Sequence, residues 1–231
     1  MDGGQELAVR AIISPHRIGC SVNRYTWCAM CGRYDLSRLD GIAKRYDVDL
    51  DGIELRPNNN VKPTHIAPVI VYDQEAKRNK LQLMKWGIKP HWAKQLLINA
   101  MAENAASAKM WGPLLRKRQL CLVIANAFYE WDDDTHIPFA FSVKGTPLIS
   151  LGGLYGVEKG ADGQEANWFV IMTTMANKTV GRVHHKNRMA FILDQQTEGL
   201  YLREPDTEGV LATLAQPYPD ELMKAVQVER L

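Results

Sequence analysis

Leu120-Cys-Leu-Val-Ile-Ala125, Phe128-Tyr-Glu-Trp131, Ile137-Pro-Phe-Ala-Phe-Ser-Val143 and Leu148-Ile-Ser-Leu-Gly-Gly-Leu-Tyr155 follow one another with only short polar stretches between them. Each run is strand-sized, apolar and rich in β-branched or aromatic residues. Asp132-Asp133-Asp134 and Lys144-Gly145-Thr146-Pro147 are turn material, and a fifth run, Asn167 to Thr174, follows the Gly160 to Gly163 segment. Successive strands joined by short turns predict antiparallel pairing. Working outward, Pro68 to Tyr72 and Leu81 to Trp86 flank a polar turn at Gln74 to Asn79 and read as a hairpin. Apolar residues at Leu39, Ile42, Ala43 and Tyr46 predict a helix over Ser37 to Tyr46 with a serine cap. Asn99 to Met110 is Ala-rich and predicts a second helix stopped by Gly112-Pro113. Two more helices are expected near Gln195 to Arg203 and Asp220 to Val226. The fold class is α+β, a largely antiparallel sheet or partly closed barrel with flanking helices.

The chain has 231 residues, 46% of them hydrophobic and 23% charged, the proportions of an ordinary globular chain. No apolar run approaches the roughly 20 residues of a membrane-spanning helix. Met1 to Ala29 is interrupted by Arg10, Arg17 and Arg24 and has no compact apolar core of a secretory signal. Four cysteines, Cys20, Cys28, Cys31 and Cys121, are too few for a secreted disulfide framework, so a reducing, cytoplasmic setting is expected. Residues 30–231 are expected to form one domain and the protein to be a monomer. No cofactor or metal is expected.

The formal net charge is only +2, but the charge is segregated. Lys85 to Arg118 carries seven basic residues against Glu103 alone, and Met175 to Ala190 carries four basic residues and no acid. Trp86, His91, Trp92 and Trp111 interleave the first block. A groove for single-stranded nucleic acid combines such cations with stacking aromatics, while two solvated faces would show the same charge runs.

Cys28-Ala-Met-Cys31 could be half a zinc site or a redox pair, but no second ligand pair follows it. If the chain is read from Met30, Cys31 becomes the second residue and removal of the methionine would expose a 1,2-aminothiol. An α-amine titrates near 7.7 to 8.0, so much of it is neutral at physiological pH and can condense with an aldehyde to an imine. The thiol then closes a thiazolidine. An internal cysteine cannot do this, and Cys31 as a small buried hydrophobe is the plain alternative. Asn99, Glu130 and His184 also stand in apolar company. A carboxylate buried there gains the raised pKa that suits proton transfer.

Seven segments in order resemble the SOS-response-associated peptidase (SRAP) family: Met30-Cys-Gly-Arg-Tyr34, Asn60-Val-Lys-Pro-Thr64, Trp86-Gly-Ile-Lys-Pro-His-Trp92, Ile98-Asn-Ala100 with Glu103, Phe128-Tyr-Glu-Trp131, Thr173-Thr-Met-Ala-Asn177, and Val183-His184 with Arg188-Met189. The resemblance implies a DNA-damage-response protein, nucleoid-associated if bacterial, that binds single-stranded DNA and crosslinks to abasic sites through an N-terminal cysteine. Cys31 matches that nucleophile, Asn99 the asparagine that holds it and the sugar, Glu130 the proton-moving carboxylate, and His184 the histidine near the sugar. Arg33, Trp86, Pro90, Trp92, Thr173 and Arg188 are implied at the DNA-contacting surface. Weak lyase activity is a further implication, since an imine of the abasic sugar promotes β-elimination.

Three departures from the family pattern stand out. Met101 replaces an arginine that follows Asn-Ala in the family. His184-His-Lys-Asn-Arg-Met-Ala190 is two residues longer than the family's histidine-to-proline segment and lacks the proline. Met1 to Ala29 precedes the cysteine and must be absent or removed, for example by autoproteolysis, before Cys31 can make a thiazolidine. Two rival readings remain: a cysteine peptidase using Cys31, His184 and Asn99, and a non-catalytic single-strand binding module.

Overall fold

The computed structural model describes residues 31–159, 163–183, 185–229 and 231. The expectations placed on Met1 to Met30 and on His184 lie outside the described residues. In chain order the strands are β1 (Arg33–Leu36), β2 (Asn58–Val61), β3 (Ile66–Asp73), β4 (Arg78–Trp86), β5 (Asn99–Met101), β6 (Leu120–Ala125) and β7 (Ala127–Trp131). They continue as β8 (Pro138–Val143), β9 (Ile149–Lys159), β10 (Glu165–Met175), β11 (Arg188–Ala190), β12 (Ile192–Leu193) and β13 (Met223–Gln227). The helices are α1 (Ile42–Tyr46), α2 (Gly112–Arg116), α3 (Lys178–Gly181), α4 (Gln195–Arg203) and α5 (Thr207–Leu214).

Strands β10, β4, β3, β6 and β9 pair in that sequence, and β9 pairs back onto β10, which closes a five-stranded barrel. Every pairing in the ring is antiparallel except β10 with β4. All six residues of β6 are buried, as are Trp168 to Thr174 of β10. Such strands have no polar face because side chains pointing outward from the barrel are covered as well. β1, β2, β7, β8 and β13 form a second, five-stranded sheet ordered β13-β8-β7-β1-β2. Among the described residues no helix is long and apolar enough to cross a membrane.

The α+β class and the antiparallel barrel are as the sequence predicts, and so are the β3–β4 hairpin, the five central strands and α4. Four local expectations fail, each because a competing interaction is stronger. The helix over Ser37 to Tyr46 shrinks to α1, because Asp35 Oδ1 and Asn126 Oδ1 take the amides of Ser37 and Arg38 and Gly41 turns the chain at φ 81. The Ala-rich run at Asn99 to Met110 opens as β5, pairing in parallel with Ile171 to Thr173, where a free strand edge outweighs intrinsic propensity. Gly112-Pro113 begins α2 instead of ending a helix, since proline fits the first turn, whose amides have no partner in the helix. Asp220 to Val226 is a single 3-10 turn followed by β13, which completes the edge of β8. Further, β6 and β7 do not pair: Asn126 carries the chain from the barrel to the second sheet.

One arrangement positions the loop of interest. β4 ends with Trp86 opposite Phe169 of β10, and β5 resumes on the same edge with Asn99 opposite Ile171. The intervening residues 87–98 therefore leave and rejoin one seam. Ile88 and Leu97 pinch the neck with two backbone hydrogen bonds of 3.0 and 2.8 Å, and Gly87, at φ 98, donates to Phe169 O. A Cβ at Gly87 would stand 3.1 Å from Leu96 and Ile98 in a conformation that only glycine adopts freely. Trp86 is wholly buried, stacked on Phe169, with its Nε1–H donated to Ile98 O at 3.0 Å.

Candidate active site

The register of β1 against β7 sets Arg33 opposite Tyr129, so running β1 back to Cys31 brings it alongside Glu130 and Trp131. The Cys31 backbone nitrogen donates to Glu130 Oε1 at 2.6 Å. Both residues are buried, Cys31 at 1% exposure and Glu130 at 4%. Cys31 itself lies at φ 49, in the left-handed region, which costs a residue with a Cβ roughly 1–2 kcal/mol.

Burial pushes the Cys31 thiol well above its ordinary range, and the charge and hydrogen bond of Glu130 push it further. The backbone N–H of Ala190 on β11 and the charge of Arg188 pull the other way without prevailing. A thiol so placed stays protonated at neutral pH. Desolvation and a neighbouring anion both disfavour a thiolate.

β10 joins the remaining pieces. Its Thr173 lies opposite Met101 of β5 on one side and opposite Ala190 of β11 on the other. Asn99 is two rungs back along β5, its Nδ2 donating to Ile171 O at 3.4 Å, while its buried Oδ1 has no hydrogen-bond partner among the described residues. Cys31 and Glu130 are thus in direct contact and the thiol is influenced by Arg188 and Ala190 of β11, with Asn99 reached through β10. His184 lies outside the described residues. Its neighbour His185 donates its backbone N–H to Asp133 Oδ2 at 2.6 Å.

The residues expected at a DNA surface divide. Trp92 is 55% exposed at the projecting loop, beside the half-buried Pro90 and the exposed Lys89, His91 and Lys94. Arg33 is half-buried, donating to Asn60 Oδ1 at 3.0 Å with its guanidinium 5.6 Å from the Trp131 ring centre. Trp86, Thr173 and Arg188 are interior, at 0%, 1% and 6% exposure. Arg188 makes two 2.8 Å hydrogen bonds to the carboxylate of Glu103 and two more to Thr173, at 2.6 Å to O and 3.1 Å to Oγ1. The basic block of the sequence also splits: Lys85, Lys89 and Lys94 lie near the loop, whereas Arg116 to Arg118 precede β6, at the opposite end of that strand from Ala125. Among the described residues no group of three His, Cys, Asp or Glu side chains is placed to hold a metal ion.

Two contributors escaped the sequence reading of roles. Ala190 touches the Cys31 thiol's titration only through its backbone N–H, which no side-chain pattern announces. Glu103 did leave a signal as the lone acid of the first basic block.

The family model described as SOS response associated peptidase (SRAP) matches residues 30–231. The chain belongs to the SRAP family. Among SRAP relatives, the abasic site processing protein YoqW of Bacillus subtilis is 34% identical over 215 residues, covering 87% of this chain and 93% of YoqW. The abasic site processing protein YedK of Escherichia coli is 28% identical over 186 residues, covering 76% and 80%. The chicken abasic site processing protein HMCES is 26% identical over 175 residues, covering 60% of this chain and 51% of HMCES. Crystal structures of a Bacteroides thetaiotaomicron protein (TM-score 0.75, 23% identity, 86% and 92% covered) and a Bordetella bronchiseptica protein (0.73, 20%, 87% and 100%) share the SRAP-like fold.

Proposed function

We propose that this chain processes abasic sites in single-stranded DNA by forming a thiazolidine between Cys31 and the ring-opened sugar. The observation that carries the proposal is the 2.6 Å hydrogen bond from the Cys31 nitrogen to the Glu130 carboxylate beside a protonated thiol. With Cys31 at the chain start, that nitrogen is an amine. It attacks the sugar aldehyde at C1′ and loses water to give the imine. The thiol sulfur then adds to the imine carbon as its proton passes to nitrogen, and the ring closes. Glu130 is placed to take and return the protons of these steps. Asn99, with a buried acceptor to offer, orients the amine and the sugar hydroxyls, and His184 assists at the sugar by the family resemblance alone. The same imine promotes β-elimination, a weak lyase activity.

The extension before Cys31 is removed on this reading, either by a start at Met30 and loss of the methionine or by self-cleavage. A protonated thiol beside a carboxylate fits amine-first chemistry better than a peptidase, which attacks as a thiolate. Trp92 and Pro90 on the projecting loop, Arg33, and the exposed lysines around them supply the strand contact.

The test is intact mass of protein expressed from Met1 and from Met30, before and after incubation with a single-stranded oligonucleotide carrying one abasic site. The expected result is a mass beginning at Cys31 and a stable adduct that Cys31→Ser abolishes. No adduct from protein whose mass begins at Cys31 would overturn the proposal.

A further inference from the structure

Glu103 belongs to no strand of the site, yet it ties two of them together. Its Oε1 and Oε2 each accept a 2.8 Å hydrogen bond from Arg188 at the head of β11. Its Oε1 also accepts the backbone N–H of Met175 at 3.2 Å and the Thr174 hydroxyl at 3.3 Å, both at the end of β10. Arg188 completes the knot by donating to Thr173 O and Oγ1. β11 has only three residues, so the knot adds to the short backbone pairing that holds it on β10. Two residues beyond Arg188, the same strand carries Ala190, whose backbone N–H eases the upward shift of the Cys31 thiol. A buried guanidinium held bidentately by one carboxylate has a single favourable orientation, so Arg188 fixes where β11 sits.

We infer that Glu103 is a positioning residue for the Cys31 chemistry, acting through Arg188 to hold β11, and with it the Ala190 N–H, against the thiol. The inference rests on the crosslinking reading above. Among the described residues Glu103 is bonded to Arg188, Thr174 and Met175 and not to Cys31. Its effect is therefore on geometry at the reacting sulfur, where misplacement by about 1 Å can cost a hundredfold in rate.

The experiment is single-turnover crosslinking of the full-chain expression product to an abasic-site oligonucleotide over a concentration series, which separates the maximal rate from half-saturation. Glu103→Gln keeps the shape and removes the charge. It is expected to slow the maximal rate roughly tenfold to a hundredfold with less than about a twofold change in half-saturation, and Glu103→Asp is expected to recover most of the rate. The double variant Glu103→Leu, Arg188→Met replaces the ion pair by apolar volume and guards against a misfolded single variant. It is expected to fold and to crosslink as slowly as Glu103→Gln. A wild-type rate in either, or a loss confined to half-saturation, overturns the inference while leaving the crosslinking reading intact. No adduct from wild-type protein beginning at Cys31 overturns both.

Discussion

The nitrogen of Cys31 and Oε1 of Glu130 lie 2.6 Å apart across the β1–β7 register, with almost nothing of either residue exposed. On the proposed crosslinking reading, that contact sets one carboxylate against the nitrogen that would lose protons, on the same residue as the thiol that would deliver one. Glu130→Gln keeps the volume and one acceptor but removes the base. Its crosslinking rate is expected to fall by about 10² to 10⁴, with binding of an intact oligonucleotide unchanged. Denaturing gels over time read the rate and anisotropy reads the binding. A variant that crosslinks at the wild-type rate would show that the carboxylate only packs against the chain start.

The buried thiols make stability fall with alkaline pH. Burial raises Cys31, assisted by Glu130, and burial alone raises Cys121, whereas thiols of the unfolded chain titrate near 8.5. Below that value both states hold these protons and the stabilisation is complete. Above it the unfolded chain loses protons that the fold retains, so unfolding gains up to about 1.4 kcal/mol per pH unit per thiol. Tyr46, raised by burial to about 12, adds to the slope only above about pH 10. The urea midpoint of the full chain is expected to drop between pH 8 and pH 10. Cys31→Ala with Cys121→Ala should start lower and fall less, and parallel curves would refute the assignment.

The barrel was legible because fully buried strands leave long apolar runs, as at Leu120 to Ala125, and because Gln74 to Asn79 is plain turn material. Two of the misread segments share a cause. Asn99 to Met101 and Met223 to Gln227 become strands only because the edges of β10 and β8 accept them, and an edge supplied from a distant part of the chain leaves no local pattern. For the site, the chemistry of Cys31 and Glu130 could be argued from residue type and company, whereas the role of Asn99 came from the family resemblance alone, and Cys31 does meet Glu130. What could not be read was depth. Trp86, Trp92, Arg33 and Arg188 carry the same marks of a DNA surface in sequence, and only the fold separates the exposed from the buried among them.

That separation makes two tryptophans behave differently. Trp86 packs between Tyr34 of the second sheet and Phe169 of the barrel, at centroid distances of 5.3 and 6.2 Å. Trp86→Ala is expected to cost about 3–5 kcal/mol of stability, read as a lowered denaturant midpoint. Trp92, 55% exposed, should cost less than about 0.5 kcal/mol in the same assay. Its removal should instead weaken single-strand binding by about 1–3 kcal/mol, the worth of one stacked base. If Trp92→Ala binds as well as wild type, the projecting loop is not the strand contact.

Met101 gives the last test, because the family resemblance implies an arginine in its place. It is 43% exposed on β5, opposite Thr173 and so beside the ion pair that the buried Arg188 makes with the exposed Glu103. A side chain there faces solvent at the rim of the site, where an arginine could reach a phosphate without entering the interior. Each phosphate neutralised on a single strand releases counterions and steepens the fall of log affinity with log salt by about 0.7. Met101→Arg is therefore expected to tighten binding at low salt, to add about 0.7 to that slope, and to lose its advantage as salt rises. Anisotropy titrations of an unmodified oligonucleotide at several salt concentrations, with Met101→Leu as the neutral control, measure it directly. An unchanged slope would mean that the new guanidinium pairs within the protein, with Glu103 as the nearest available acid in sequence, and that this rim does not lie on the path of the strand.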